Sequence, residues 1–156
     1  MEDFSKFVPY QMKLLMKGLD KQGMDYLAHY NISMGQAYIL ASLLEQDGST
    51  LTRVCQRANL ESSSLTTMID RLERDQLVER RPSTEDRRMT MLYITDKGRE
   101  IAYSIFEESI KHNKAILAAL GEYKDAWDEI VKRLGRFIED GYEVADSNIT
   151  RRSSRQ

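Results

Sequence analysis

Apolar positions along the chain recur at helical spacing in most segments and alternate in only one. Over about residues 4–30, Phe4, Phe7, Val8, Leu15 and Leu19 fall near one stripe, with Tyr26 and Leu27 further along, which predicts a long first helix. Pro9 near its start and the pair Gly18 and Gly23 mark places where it can bend. Asn31-Ile32-Ser33 breaks the pattern, and Ser33 is placed to cap a second helix whose inner side carries Ala37, Leu40, Ala41 and Leu44. Asp47-Gly48-Ser49 is a turn signal. A short helix is expected over residues 51–58. Residues 62–75 form another, because Leu65, Met68, Ile69 and Leu72 make one apolar stripe, while Ser63, Thr66, Thr67, Asp70 and Arg74 lie opposite. Glu61 or Ser62 would cap it.

The alternating segment follows. Residues 77–81 and 89–94 read as two strands joined by the charged loop 82–88, a hairpin with a projecting tip. Thr95-Asp96 then opens a helix, with Thr95 as its cap. Its inner side is expected to hold Ala102, Ile105, Phe106, Ile110, Asn113, Leu117 and Leu120. Gly121 punctuates, and a last helix carries Trp127, Ile130, Val131, Leu134, Phe137 and Ile138, fading near Gly141. The tail from Ala145 is polar and ends in Arg151, Arg152 and Arg155, a composition expected to fray. The fold class expected is therefore mainly α with a small β-hairpin, at 156 residues one domain with helical extensions.

Composition narrows the function. With 41% hydrophobic and 31% charged residues the chain is of ordinary globular type. Its net charge of −2 excludes binding to nucleic acid by bulk positive charge, although residues 53–99 alone carry a net +2. One cysteine, Cys55, excludes an intramolecular disulfide framework and suggests a reducing compartment. No apolar run approaches the ~18 residues of a membrane span, and residues 1–4 do not read as a signal peptide, so no membrane partner and a cytoplasmic location are expected. His29 and His112 lack paired spacing, so no metal site is expected. Neither a nucleophile–base pair nor a glycine-rich phosphate loop is present, so no cofactor and no enzymatic activity are expected.

Two short helices joined by a tight turn suggest a helix-turn-helix whose second helix enters the DNA major groove. Small hydroxyl side chains at the start of residues 62–75 suit close approach to the sugar–phosphate backbone and reach to base edges. The same pattern also describes a plain solvated helix face. The hairpin weighs toward DNA: Arg80, Arg81, Arg87 and Arg88 gather around Asp86, and an arginine tip beside a recognition helix suits the neighbouring minor groove. A charged tip with Asp86 paired to an arginine is the plainer alternative.

Taken together, Ser64-Leu65-Thr66-Thr67-Met68-Ile69-Asp70-Arg71-Leu72-Glu73, Leu77-Val78-Glu79-Arg80, Asp86-Arg87-Arg88 and Leu92-Tyr93-Ile94-Thr95-Asp96-Lys97-Gly98 resemble the MarR family of winged helix-turn-helix transcriptional regulators. The resemblance runs over about residues 4–142. It implies a homodimer in which residues 1–32 and 95–144 form the helical dimerisation region and residues 33–94 the DNA-binding lobe, with residues 145–156 as a tail. The implied partner is a double-stranded, pseudopalindromic operator. Ser62, Ser63, Ser64, Thr66, Thr67, Arg71 and Arg74 would line the recognition helix. Arg81, Arg87 and Arg88 would serve on the wing, with Arg88 in the minor groove and Asp86 holding the wing's shape.

The resemblance further implies a repressor released by a small ligand such as an aromatic acid or its thioester, and Met12, Met16, His29, Tyr30, Met34, Tyr38 and Phe106 are the candidate lining residues. Core packing explains each of these singly as well. Cys55 lies in the short helix rather than the first, so an inert structural thiol is expected in place of a peroxide sensor. A protein-interaction module that uses the same fold without DNA is the alternative function. The chain departs from the family in two places. Cys55-Gln56-Arg57-Ala58-Asn59 replaces the usual Leu-Ala pair and glycine. Gln76 stands where the family has a glycine in a left-handed turn. A left-handed glutamine costs roughly 1 kcal/mol or more, so this helix end is expected to close in a different way.

Overall fold

The computed structural model describes residues 3–84, 86 and 88–141, with the backbone alone at Ser62. The helices are α1 (Val8–Leu27), α2 (Met34–Glu45), α3 (Leu51–Ala58), α4 (Ser62–Arg74), α5 (Asp96–Leu120) and α6 (Lys124–Asp140). The strands are β1 (Ser49–Thr50), β2 (Val78–Pro82) and β3 (Thr90–Ile94). The chain forms two compact units that meet inside α5, one reaching to His112 and one from Asn113.

In the first unit, the starts of α2 and α3 follow the expected chemistry. Ser33 Oγ accepts from the Gln36 N–H at 3.3 Å, and the Gln36 side chain returns the bond to the Ser33 N–H at 2.9 Å, a complete capping box. Thr50 caps α3 by accepting from the Arg53 N–H. The core is built from Leu27, Ile39, Leu40, Leu43, Val54, Leu65, Ile69, Leu72, Leu77, Val78, Leu92 and Ile94, with Ala102 and Ile105 from α5. On α2 the buried side is wider than expected: Ala37 and Leu40 are buried as predicted, but they are not the whole of it. Ile39 and Leu43 are buried, while Ala41 and Leu44 are only partly so, because α2 is packed by α3, α4 and β3 rather than along one stripe.

The hairpin is part of a larger sheet. β2 and β3 pair antiparallel from Val78↔Ile94 to Pro82↔Thr90, and β1 adds to the other edge of β3 through Ser49↔Leu92 and Thr50↔Met91, in the order β1-β3-β2. The two-stranded hairpin read from the sequence is thus a three-stranded sheet. A two-residue strand has no periodicity to read; its register is set by a partner more than forty residues away.

Three helical segments close on a non-glycine residue in the left-handed region, at Asn31, Asn59 and Gln76. Gln76 has φ +60°, so the helix end does close in the family's left-handed geometry, contrary to the expectation that glutamine would force another. The Leu77 N–H donates to the Leu72 carbonyl at 2.8 Å, and the Gln76 N–H donates to that of Glu73 at 2.9 Å, while Leu72 and Leu77 are both buried. Two satisfied carbonyls and one apolar contact outweigh the strain of one left-handed side chain.

Outside the core, much of the predicted apolar surface is uncovered. On α1 only Gly23 and Leu27 are buried, and Phe4, Phe7, Val8 and Leu15 of the first segment are exposed. On α5 the expected inner side is covered at Ala102 and Ile105 but not at Phe106, which is 55% exposed, or at Ile110. The second unit contains α6, on which no residue is buried and Trp127, Ile130, Val131, Phe137 and Ile138 are all exposed.

Candidate nucleic-acid interface

α4 lies with Leu65, Ile69 and Leu72 in the core and Ser63, Thr66, Thr67, Asp70, Arg71 and Arg74 exposed. These six positions recur every three or four residues, so they share one side of the helix. Glu61 takes the N-cap position without a side-chain hydrogen bond. Ser64 is half-buried, and its hydroxyl donates to the Glu61 carbonyl at 3.1 Å, so it shapes the first turn from within. The Ser62 side chain lies outside the described residues.

The arginines divide into held and free. Arg80 is drawn away from the loop tip where the sequence reading grouped it. Its guanidinium pairs with Asp70 at 2.6 Å and with Glu73, and its backbone N–H donates to Glu73 Oε1 at 3.2 Å. Partial burial opposes the charge on Arg80. The hydrogen bond to Asp70 and the charge of Glu73 outweigh it, and they raise its pKa above the ordinary arginine value. β2 is thereby tied to the flank of α4. Arg81, also assigned to DNA on the wing, pairs with Glu79 and lies 4.7 Å above the Tyr93 ring, a cation–π contact that turns it back along the hairpin. Arg74 pairs with its neighbour Asp75 at 3.2 Å in the open, where such a pair is weak enough to be exchanged for a phosphate. Arg71 is exposed and has no ion pair among the described residues.

At the tip of the hairpin, Asp86 organises the backbone. Its carboxylate accepts from the Arg88 N–H at 2.9 Å, its carbonyl accepts from the Met89 N–H at 2.9 Å, and its own N–H donates to Ser83 Oγ. Asp86 thus holds a tight turn through bonds to main-chain N–H groups, and among the described residues it pairs with no arginine side chain. The Arg88 side chain is left exposed, with no ion pair among the described residues. Arg87 lies outside the described residues.

One structural hub had no signal in the sequence. Asp47 accepts from the Ile94 N–H at 2.9 Å and the Gly48 N–H at 3.0 Å, and also pairs with Arg99. It joins the turn after α2 to the end of β3 and the start of α5, across a separation of about fifty positions that no local pattern reveals. The Asp70–Glu73–Arg80 cluster did leave a trace: two acids three apart on a helix, followed by an arginine in the next strand.

Of the seven candidate ligand-lining residues, one borders a depression in the described residues. A depression of about 430 Å³ is lined by Tyr38, Ala41, Ser42 and Glu45 of α2 and by Arg57, Ala58, Asn59 and Leu60; of the seven candidates it includes Tyr38 only. Met12, Met16 and Phe106 are exposed apolar side chains, and Tyr30 and Met34 pack partly against the core. His29 meets the Tyr26 carbonyl at 3.2 Å. Cys55 is half-buried, and its thiol donates to the Leu60 carbonyl at 2.8 Å. Among the described residues no group of three or more histidines, cysteines or acids is placed to hold a metal, and no helix is long and apolar enough to cross a membrane.

A short helix, a turn, an exposed hydroxyl- and arginine-bearing helix and an adjoining antiparallel hairpin together make a winged helix-turn-helix. Comparison with known proteins places it more closely. A sequence model described as MarR family matches residues 32–90. The chain is 33% identical over 104 residues to the HTH-type transcriptional repressor MdtR of Bacillus subtilis (strain 168), a match covering 67% of this chain and 59% of that repressor. The chain therefore matches less than two thirds of that relative's length. Among solved structures, the transcriptional repressor CouR bound to a 23-mer DNA duplex superposes with a TM-score of 0.76 at 23% identity, covering 88% of this chain and 96% of CouR. A structure of Bordetella bronchiseptica BpsR, described by its regulation of DNA binding by 6-hydroxynicotinic acid, superposes at 0.77 with 16% identity, covering 91% and 99%. The chain belongs to the MarR family of winged-helix transcriptional regulators.

Proposed function

We propose that this protein is a sequence-specific DNA-binding transcriptional regulator that works as a homodimer and represses until a small ligand releases it. The observation that supports it best is that two exposed arginines, one on α4 and one on the hairpin tip, make no ion pair among the described residues. Arg71 lies on the exposed side of α4, and Arg88 lies on a tip held in shape by Asp86. α4 would enter the major groove with Ser63, Thr66, Thr67, Arg71 and Arg74, the first turn at Ser62 and Ser64 would approach a phosphate, and Arg88 would reach the adjoining minor groove with Arg87 beside it. Arg81 is assigned to shaping the wing rather than to direct contact, because Glu79 and Tyr93 already hold it.

The uncovered apolar side chains of α1, α5 and α6 support dimerisation. A monomer exposing Phe4, Leu15, Phe106, Trp127, Ile130 and Phe137 would present far more apolar surface than a soluble chain ordinarily leaves open. Residues 1–32 and 95–144 are assigned to that interface and residues 33–94 to DNA. Two-fold symmetry would then bring two copies of α4 to one face of a pseudopalindromic site. Release by an aromatic acid or its thioester is proposed, the acid by analogy with BpsR, with Met12, Met16, His29, Tyr30, Met34, Tyr38 and Phe106 as the candidate lining.

Selection of duplexes from random double-stranded DNA, followed by titration at fixed salt, tests this reading. Arg88→Ala is expected to weaken binding to the selected duplex by more than about tenfold while sedimentation shows the dimer unchanged. Failure of the wild-type protein to enrich any sequence, or unchanged affinity of the variant, overturns it.

A further inference from the structure

The end of the recognition helix is gripped by the first turn of α5. Three consecutive carbonyls follow the last turn of α4, and each is taken by α5 or its cap. Lys97 Nζ donates to the Asp75 carbonyl at 2.9 Å, Thr95 Oγ1 donates to the Gln76 carbonyl at 2.8 Å, and the Thr95 N–H donates to the Leu77 carbonyl at 3.1 Å. Thr95 Oγ1 also accepts from the Gly98 N–H at 3.0 Å, so one hydroxyl caps α5 and binds the end of α4 together. The Lys97 ammonium stands at the negative end of the α4 dipole, where a cation is favoured. Gly98 allows this approach: a Cβ there would lie 2.0 Å from the Leu77 carbonyl oxygen. Arg99 and the Ile94 N–H anchor the same junction to Asp47.

No slack remains at this junction. β3 ends at Ile94 and α5 begins at Asp96, with Thr95 alone between them. From Lys97, α5 runs without a break to the exposed Phe106, about 14 Å along its axis. A helix joined to its neighbour by a flexible linker lets that neighbour swing; one joined by three bonds to successive carbonyls transmits its own orientation.

We infer that Thr95 and Lys97 are positioning residues for DNA recognition, locking α4 to α5 so that the dimer presents its two recognition helices at one fixed separation and phase. This rests on the proposed function and specifies how the same interface selects its operator: by the spacing between half-sites as well as by their bases. One base pair added between half-sites moves them apart by about 3.4 Å and turns them by about 34–36°. A rigid junction cannot absorb that, and a loosened one can.

The test uses the duplex selected by the wild-type protein and two versions of it, one lengthened and one shortened by a single central base pair. Each is titrated at fixed salt with wild type, Thr95→Val, Lys97→Ala, the double variant and Lys97→Arg, and circular dichroism gives the folded fraction of each. Wild type is expected to prefer the selected spacing by about tenfold or more, and the double variant by about threefold or less. Each single variant is expected to fall between, and Lys97→Arg to keep the wild-type preference. A uniform loss of affinity on all three duplexes, with the ratio preserved, reduces the junction to a matter of stability and overturns the inference while leaving the proposed function standing. Absence of specific binding by wild type overturns both.

Discussion

Gln76 shares the left-handed region with Asn31 and Asn59, but asparagine visits that region readily and glutamine does not, so the conformational cost is greatest at Gln76 and removing it is measurable. Gln76 holds φ at +60°, its side chain is exposed, and it makes no side-chain hydrogen bond among the described residues. The bonds that close the helix use only the backbone N–H groups of Gln76 and Leu77, which glycine at position 76 would retain. Replacing Gln76 by glycine therefore removes left-handed strain of about 1–2 kcal/mol and loses no contact. Glycine also gives the unfolded chain more freedom, which takes back about 0.4–1 kcal/mol. The net expectation is a gain of about 0.5–1 kcal/mol, or roughly 1–4 °C in Tm for a chain of this size. Urea unfolding followed by circular dichroism at one fixed protein concentration reads it, the concentration held constant because association contributes to stability. Gln76→Ala is the control: it removes the same side chain but keeps a Cβ, so it should show no comparable gain. If Gln76→Gly has a lower midpoint than wild type, or if alanine stabilises as much as glycine, the strain account is wrong.

Other substitutions probe separate parts of the structure. Gly98→Ala should cost about 3 kcal/mol or more, because the new Cβ meets a backbone carbonyl that cannot move without opening the α4–α5 junction; a loss under about 1 kcal/mol would contradict the contact. Arg80→Ala frees Asp70 and Glu73, and since all three side chains are partly solvated its stability cost should be only about 1 kcal/mol. DNA affinity should nevertheless fall, because the wing loses its tie to α4, and unaltered affinity would refute that tie. Arg71→Ala should lower the slope of log K against log salt by about one while leaving the dimer intact. Ile130→Glu should shift sedimentation toward monomer at micromolar protein, and an unchanged distribution would exclude this part of α6 from the interface.

How much was legible in the chain differs from element to element. The two sides of α4 were readable, since Leu65, Ile69 and Leu72 are spaced so that a single surface can bury them, leaving Thr66, Thr67 and Arg71 outside; the inward bond of Ser64 and the left-handed close at Gln76 were not. Capping by Ser33 and Thr95 was readable for a similar reason: the partner of each hydroxyl lies three residues away. α1, α5 and α6 were predicted as helices correctly, but which of their apolar residues a single copy covers was not written in their spacing. The stripe on α5 is continuous in sequence and interrupted in burial, because the core ends beyond Ile105.

The local periodicities and caps of this sequence suffice to determine its helices, its hairpin and the exposed side of α4, because each depends on residues within one or two turns of one another. Tertiary structure alone decided the rest. It paired β1 with β3, brought Asp47 to Arg99, withdrew Arg80 and Arg81 from the group of available arginines, and let Gln76 take a conformation that its own preference opposes. The strand pairing and the ion pairs depend on partners supplied by a distant segment, and the Gln76 turn on the Leu72 and Glu73 carbonyls together with the burial of Leu72 and Leu77 in the core. The energy of an ion pair, a strand register or a strained turn is settled by those surroundings, and spacing along the chain carries no record of it.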